Sequence, residues 1–167
     1  MNKKYQRTFL FFLFSTVFST LLLSGCGFHL RGNIDLPALF DRVLIVDQGV
    51  PDIARPLQRV LIENKSKLVE TPQAATAIIT LLSKGVNRRA VAISAKEVKE
   101  YEIQISVAFA VQDAQGKQQG KNQTVTSLRR YSYDSNLVLG SANEETILIA
   151  EMREDIVQQI IRRLAKM

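Results

Sequence analysis

The chain has 167 residues, with 22 Lys and Arg against 16 Asp and Glu, one His and one Cys. Lys3, Lys4 and Arg7 all lie in the first 25 residues, so the formal charge of +6 falls to about +3 over residues 26–167. That remainder is long enough for one domain with a real core but not for two. A single Cys excludes an intrachain disulfide, and no basic-aromatic platform points to nucleic acid.

The first element is a leader. Its positive start is followed by an apolar run from Phe9 to Leu23 and then by Ser24 and Gly25, the small side chains of a processing site. The run is shorter than a spanning helix and is interrupted by Ser15, Thr16, Ser19 and Thr20. Leu23-Ser24-Gly25-Cys26 resembles the lipobox of bacterial lipoproteins. That resemblance implies removal of residues 1–25 as a signal peptide and a covalent S-diacylglycerol and N-acyl lipid on Cys26. Several acyl chains hold a protein firmly on a membrane, because each buried methylene contributes about 0.8 kcal/mol. Gly27 in place of Asp resembles the outer-membrane sorting pattern.

Residues 26–41 carry little periodicity and read as a lipidated tether, leaving 42–167 as a single domain. Val43-Leu44-Ile45-Val46 is a short strand, apolar on both faces and therefore interior. Gln48 to Asp52 makes a turn with Asp52 as a candidate helix cap, and Ile53, Leu57, Val60 and Leu61 recur at helical spacing. Pro56 is tolerated near the first turn. A second strand runs from Ala77 to about Arg89. The third alternates clearly, with Tyr101, Ile103, Ile105, Val107, Phe109 and Val111 on the core side and Glu100, Glu102 and Gln104 on the wet side. After a turn at Asp113 to Lys117, a more polar strand from Lys121 to Tyr133 returns antiparallel.

Ser141-Ala142-Asn143-Glu144 has the capping-box pattern and predicts the start of the last helix, whose stripe is Ile149, Met152, Ile156, Ile160 and Leu164. The fold class expected is α+β, two helices packed on one face of a four-stranded mixed sheet, in the order β-α-β-β-β-α.

Catalytic chemistry finds no purchase. His29, the only histidine, lies on the tether without a pocket or an orienting partner, and one His with an acylated Cys makes no metal site. No activated serine pattern occurs. Glu100 and Glu102 lie roughly 7 Å apart on one strand face, a spacing open to glycoside cleavage, but they read as the solvated side of an amphipathic strand. The chain is therefore expected to be no enzyme and to need no cofactor. The basic residues Lys84, Arg88, Arg89 and Lys96 gather around the second and third strands, with Arg129 and Arg130 on the neighbouring one. Arginine forks match phosphate, so Arg88, Arg89 and Lys96 are candidates for holding a phosphorylated lipid headgroup.

Cys26-Gly27-Phe28-His29-Leu30-Arg31 resembles the opening of the lipopolysaccharide-assembly lipoprotein LptE (RlpB) family. Pro56-Leu57-x-Arg59, Glu100-Tyr101, Asn143-Glu144 and Gln159 to Leu164 agree with it in order. The resemblance implies a non-enzymatic outer-membrane subunit of the lipopolysaccharide translocon. Such a subunit sits in the lumen of the barrel LptD on the periplasmic side, assists barrel assembly and binds lipopolysaccharide. Family members can carry a basic residue at the start of the last helix, where this chain has Ser141. The alternative is a periplasmic lipoprotein that pilots or scaffolds another envelope complex without binding glycolipid.

Overall fold

The computed structural model describes residues 34–94, 97–134 and 138–167. Apolar and alternating runs form one sheet from β1 (Arg42–Asp47), β2 (Lys67–Leu68), β3 (Ala77–Ser94), β4 (Glu97–Asp113) and β5 (Gln123–Ser132), in the order β2-β1-β3-β4-β5. The two helices are α1 (Pro51–Glu63) and α2 (Val138–Leu164). β1 lies parallel to both neighbours, whereas β3, β4 and β5 are successively antiparallel. The architecture is the expected α+β one with a mixed sheet. Its fifth strand is β2, which makes only the register pairs Arg42↔Lys67 and Val43↔Leu68.

The helices cover one face. Ile53, Leu57 and Leu61 of α1 and Met152, Ile156, Ile160 and Leu164 of α2 pack with Ile79, Leu81, Ile103, Ile105, Val107, Phe109 and Val125 of the sheet, all essentially buried. Removing this much apolar surface from water is the main term that holds the elements together. Phe40 joins the same cluster, and the Ile34 N–H donates to Asn64 Oδ1 at 2.6 Å. Packing therefore begins upstream of Arg42, inside the stretch that composition assigns to the tether.

Three local expectations are corrected. Asp52 is not the cap of α1: Val50 occupies that position without a side-chain cap, and Pro51 fills the first turn where a missing N–H costs nothing. Asp52 instead contacts Lys84 and Arg153 from the helix's side. Pro56 is the sixth helical residue, so it removes one donor from the α1 ladder. Ser141 does not cap α2, because the helix already runs from Val138. Its hydroxyl is nearly buried and accepts a hydrogen bond from the Asp134 N–H at 3.4 Å.

Candidate functional site

β1 pairs with β3 only as far as Leu81, yet β3 continues to Ser94 against β4. The pair thus extends as an arm beyond β1, three-stranded over most of its length because β5 accompanies β4 from Phe109 to Glu100. A bulge lies at the root of this arm, where the register passes from Leu81↔Phe109 to Ser83↔Ala108. Side chains alternate faces along a strand, so one extra residue exchanges the faces of everything after it. Before the bulge Ile79 and Leu81 face the helices. After it Lys84, Val86 and Arg88 do, opposite Val107, Ile105 and Ile103, while Arg89 opposes Glu102 on the open face.

On the helix-side face, the Arg88 guanidinium carbon lies 3.7 Å from the centre of the Tyr101 ring. Arg88 Nε and Nη2 donate to the Tyr131 hydroxyl at 3.0 and 2.7 Å, and Nε lies 3.3 Å from Glu145 Oε2. The Tyr131 hydroxyl in turn donates to Glu145 Oε2. Tyr101 stacks on Tyr131 at 5.8 Å and meets the edge of Tyr133 at 5.3 Å. Burial, followed by the hydrogen bond to Glu145, pushes the Tyr131 phenol up to about 12. Burial disfavours the charged form of Arg88, but the Tyr131 hydrogen bond and the charge of Glu145 outweigh it and raise its pKa above the ordinary value.

On the open face the register places Arg89, Glu102 and Arg130 in one cross-strand row. Arg89 Nε donates to Glu102 Oε1 at 2.7 Å and Arg130 Nε to Oε2 at 2.9 Å. Glu102 is not on a wet surface as its alternation implies. Its side chain is only 3% exposed because the Arg89 and Arg130 side chains, themselves 63% and 61% exposed, lie over it. Hydrogen bonds from Arg130 and Arg89 hold its carboxyl below the usual range. Two positive charges on one carboxylate leave the row at +1, facing solvent.

Charge and position single out Arg88, Arg89 and Lys96; the structure sets the first two on opposite faces of the arm, and Lys96 lies outside the described residues, as does Cys26. Arg88 is held by Tyr101, Tyr131 and Glu145, whereas Arg89 presents its guanidinium outward. Arg130 belongs with Arg89 by register, and Glu102 and Glu145 are the counter-ions that sequence alone leaves unassigned. Around this row the open face carries Ser106 Oγ 3.1 Å from Thr126 Oγ1 and Gln104 bonded to Ser106, beside the exposed Leu128 opposite Gln104. Among the described residues no group of three or more His, Cys, Asp and Glu could hold a metal ion, and no helix is long and apolar enough to cross a membrane.

A five-stranded mixed sheet with two helices on one face and a projecting arm defines a small α+β domain. Its fold matches the solution structure of uncharacterized lipoprotein B from Nitrosomonas europaea with a TM-score of 0.71 and 30% identity, covering 83% of this chain and 90% of that one. The rare lipoprotein B of Shewanella oneidensis shares the fold at a TM-score of 0.65 and 21% identity, over 75% of this chain and 94% of that one. The LptE lipopolysaccharide-assembly family model matches residues 42–164, and the chain belongs to that family. An LPS-assembly lipoprotein LptE of Pectobacterium atrosepticum is 28% identical over 149 residues, 87% of this chain and 80% of the relative. That of Photorhabdus laumondii is 26% identical over the same span. The chain is therefore a lipoprotein of lipopolysaccharide assembly, in a family of assembly proteins rather than of known enzymes.

Proposed function

We propose that this protein is the outer-membrane lipoprotein subunit of the lipopolysaccharide translocon, anchored by the lipid on Cys26. In this reading it plugs the LptD barrel from the periplasmic side, assists the barrel's assembly and binds lipopolysaccharide for insertion at the outer leaflet. The observation that carries the binding role is the Arg89–Glu102–Arg130 row. It offers two outward guanidinium groups with a net positive charge and a fixed geometry, which suits the phosphates of a glycolipid. Arg89 and Lys96 are the contacts proposed from the original trio, joined by Arg130; Arg88 serves by fixing the arm from its other face.

The plug role rests on the open sheet face. A surface enclosed by a barrel wall has to satisfy hydrogen bonds over much of its area, and Ser106, Thr126, Gln104 and Asn87 provide donors and acceptors there. Family membership makes lipopolysaccharide and LptD the natural partners.

The test is purification of the full-length acylated protein from its own envelope in mild detergent, with mass spectrometry of what accompanies it. Recovery of a large outer-membrane barrel together with lipopolysaccharide is expected. Recovery of another envelope complex free of glycolipid would transfer the assignment to a piloting or scaffolding lipoprotein.

A further inference from the structure

Two long edges of the sheet carry no neighbouring strand among the described residues, β5 and the part of β3 beyond β1. In a strand of L-residues the face taken by a side chain and the side to which its N–H and C=O point alternate together. Leu81, on the helix-side face, turns its carbonyl toward β1, where it accepts from the Gln48 N–H at 3.1 Å. β5 runs in the same direction as β3, so its outward groups belong to residues of the open face. Two of those carbonyls are met by side chains. Gln159 of α2 donates to the Thr126 carbonyl at 2.9 Å, and Arg129 donates to that of Leu128 at 2.9 Å.

The β3 edge has no such cover among the described residues. Past the first bulge the helix-side residues are Lys84, Val86 and Arg88, so their N–H and C=O groups point away from β4 to the side where β1 has already ended. Charged side chains commonly guard a free edge. Here they are drawn off it, Lys84 to Asp52, Arg88 to Tyr131 and Glu145, and Arg89 to Glu102. The next register shift falls between Ala90 and Ala92. Ser83 to Ala90 is therefore one unbroken window, roughly 25 Å long at the rise of a strand.

We propose that this window accepts an extended acidic segment of a partner protein as an added strand. Main-chain hydrogen bonds would give such a segment its affinity and alternate side chains its specificity. Charge selects the occupant. The window carries Lys84, Arg88 and Arg89 and no acidic residue, and Arg153 beside Asp52 and Arg130 beside Glu102 leave its surroundings positive. Val86, 56% exposed between Lys84 and Arg88, fits an apolar neighbour flanked by carboxylates on the same face. A second copy paired through the same window would set three cations against three. Residues 26–33 include His29 and Arg31 but no Asp or Glu, so the chain's own tether lacks the matching charge. The inference rests on this edge and its charge, not on the barrel or glycolipid reading.

The experiment is hydrogen-exchange mass spectrometry of the full-length acylated protein in non-ionic detergent, with a terminally blocked heptapeptide, Thr-Glu-Thr-Val-Thr-Glu-Thr, at millimolar concentration. Its palindromic sequence allows either strand direction. Slowed exchange confined to residues 83–90 is expected, with about tenfold weaker binding of Thr-Lys-Thr-Val-Thr-Lys-Thr at low salt. Thr-Glu-Thr-Pro-Thr-Glu-Thr keeps the charge but breaks the ladder and should give no protection. Val86→Pro removes only an outward N–H, which an edge strand tolerates, and should abolish the effect. Val86→Asp keeps that N–H and should weaken the acidic peptide several-fold, which covers the case of a misfolded proline variant. Equal protection by the proline peptide, or unchanged binding to both variants, would overturn strand addition. Equal binding of the lysine peptide would overturn the acidic partner. Absence of protection, or residues 83–90 already protected in the protein alone, would overturn the site; in the second case light scattering would tell a second copy from a segment of the same chain.

Discussion

Arg88 lies over Tyr101, its guanidinium carbon 3.7 Å from the ring centre, while its Nε stands 3.3 Å from Glu145 Oε2 on α2, so one side chain both braces the arm and ties it to the body of the domain. The tyrosine face supplies a negative quadrupole, and the fork reaches past it to the Tyr131 hydroxyl. Arg88→Ala should destabilise the protein by about 1–2 kcal/mol, below the roughly 2–4 of a cation–π contact plus a charged hydrogen bond because the side chain is 40% exposed. Arg88→Lys should recover less than half, since an ammonium cannot stack and bond in two directions at once. Urea unfolding midpoints of the three proteins check this.

Tyr131→Phe removes the hydroxyl that both receives from Arg88 and donates to Glu145. A cost of about 1–2 kcal/mol is expected, because the partners lose a shared node without losing the ring packing. With its phenol held at about 12, Tyr131 should ionise late in an ultraviolet pH titration, and the variant should lack that step.

Glu102 sets an acid limit. Hydrogen bonds from Arg130 and Arg89 lower its folded pKa below the ordinary value of 4.5. The stabilisation is therefore fully present above the unfolded carboxylate pKa and is lost as pH falls through the folded value. Glu102→Gln should be less stable at pH 7, where Arg89 and Arg130 would face each other uncompensated, and the gap to wild type should close on acidification. Thermal unfolding between pH 7 and pH 3 measures it; a gap that stays constant would remove Glu102 from the account.

Arg89→Gln keeps Arg130 on Glu102 and so preserves the buried carboxylate's partner. Lipopolysaccharide capture by this variant should fall several-fold at low salt, with the difference shrinking at high salt as screening shortens the reach of both arginines. Arg88→Gln should instead lower stability first. Capture assays paired with unfolding curves separate the two faces.

Lys65 ends α1 in the left-handed conformation, with φ of 69°, while its own N–H and that of Ser66 return to Ile62 and Leu61. This is the position where helix ends favour glycine. Lys65→Gly should stabilise the protein by about 0.5–1 kcal/mol, relief of Cβ crowding exceeding the added chain entropy. A fall in melting temperature would contradict it.

The sequence was most legible where one period ran long. Alternation from Tyr101 to Val111 located β4 and its core side, and the stripe from Ile149 to Leu164 located the body of α2. β2 was hidden because a two-residue strand has no period. The capping pattern at Ser141 misplaced a helix end because propagation from Val138 outweighed a local signal. Glu102 read as wet because alternation reports which face a residue is on, not what its cross-strand neighbours lay over it. Charge clustering found Arg88 and Arg89 but could not separate them, and Glu145 came to Arg88 only through the distant packing of α2.

The extra residue near Leu82 makes two adjacent arginines into chemical opposites, one a rivet within the domain and one a hand held out to whatever passes the open sheet. Had the strand continued without it, Arg88 would have pointed to the open face and Arg89 into the tyrosine cluster. A single-residue insertion or deletion upstream of the arm can thus exchange anchoring for recognition while every side chain in the arm stays the same, a route by which related chains can move a binding surface without altering its residues.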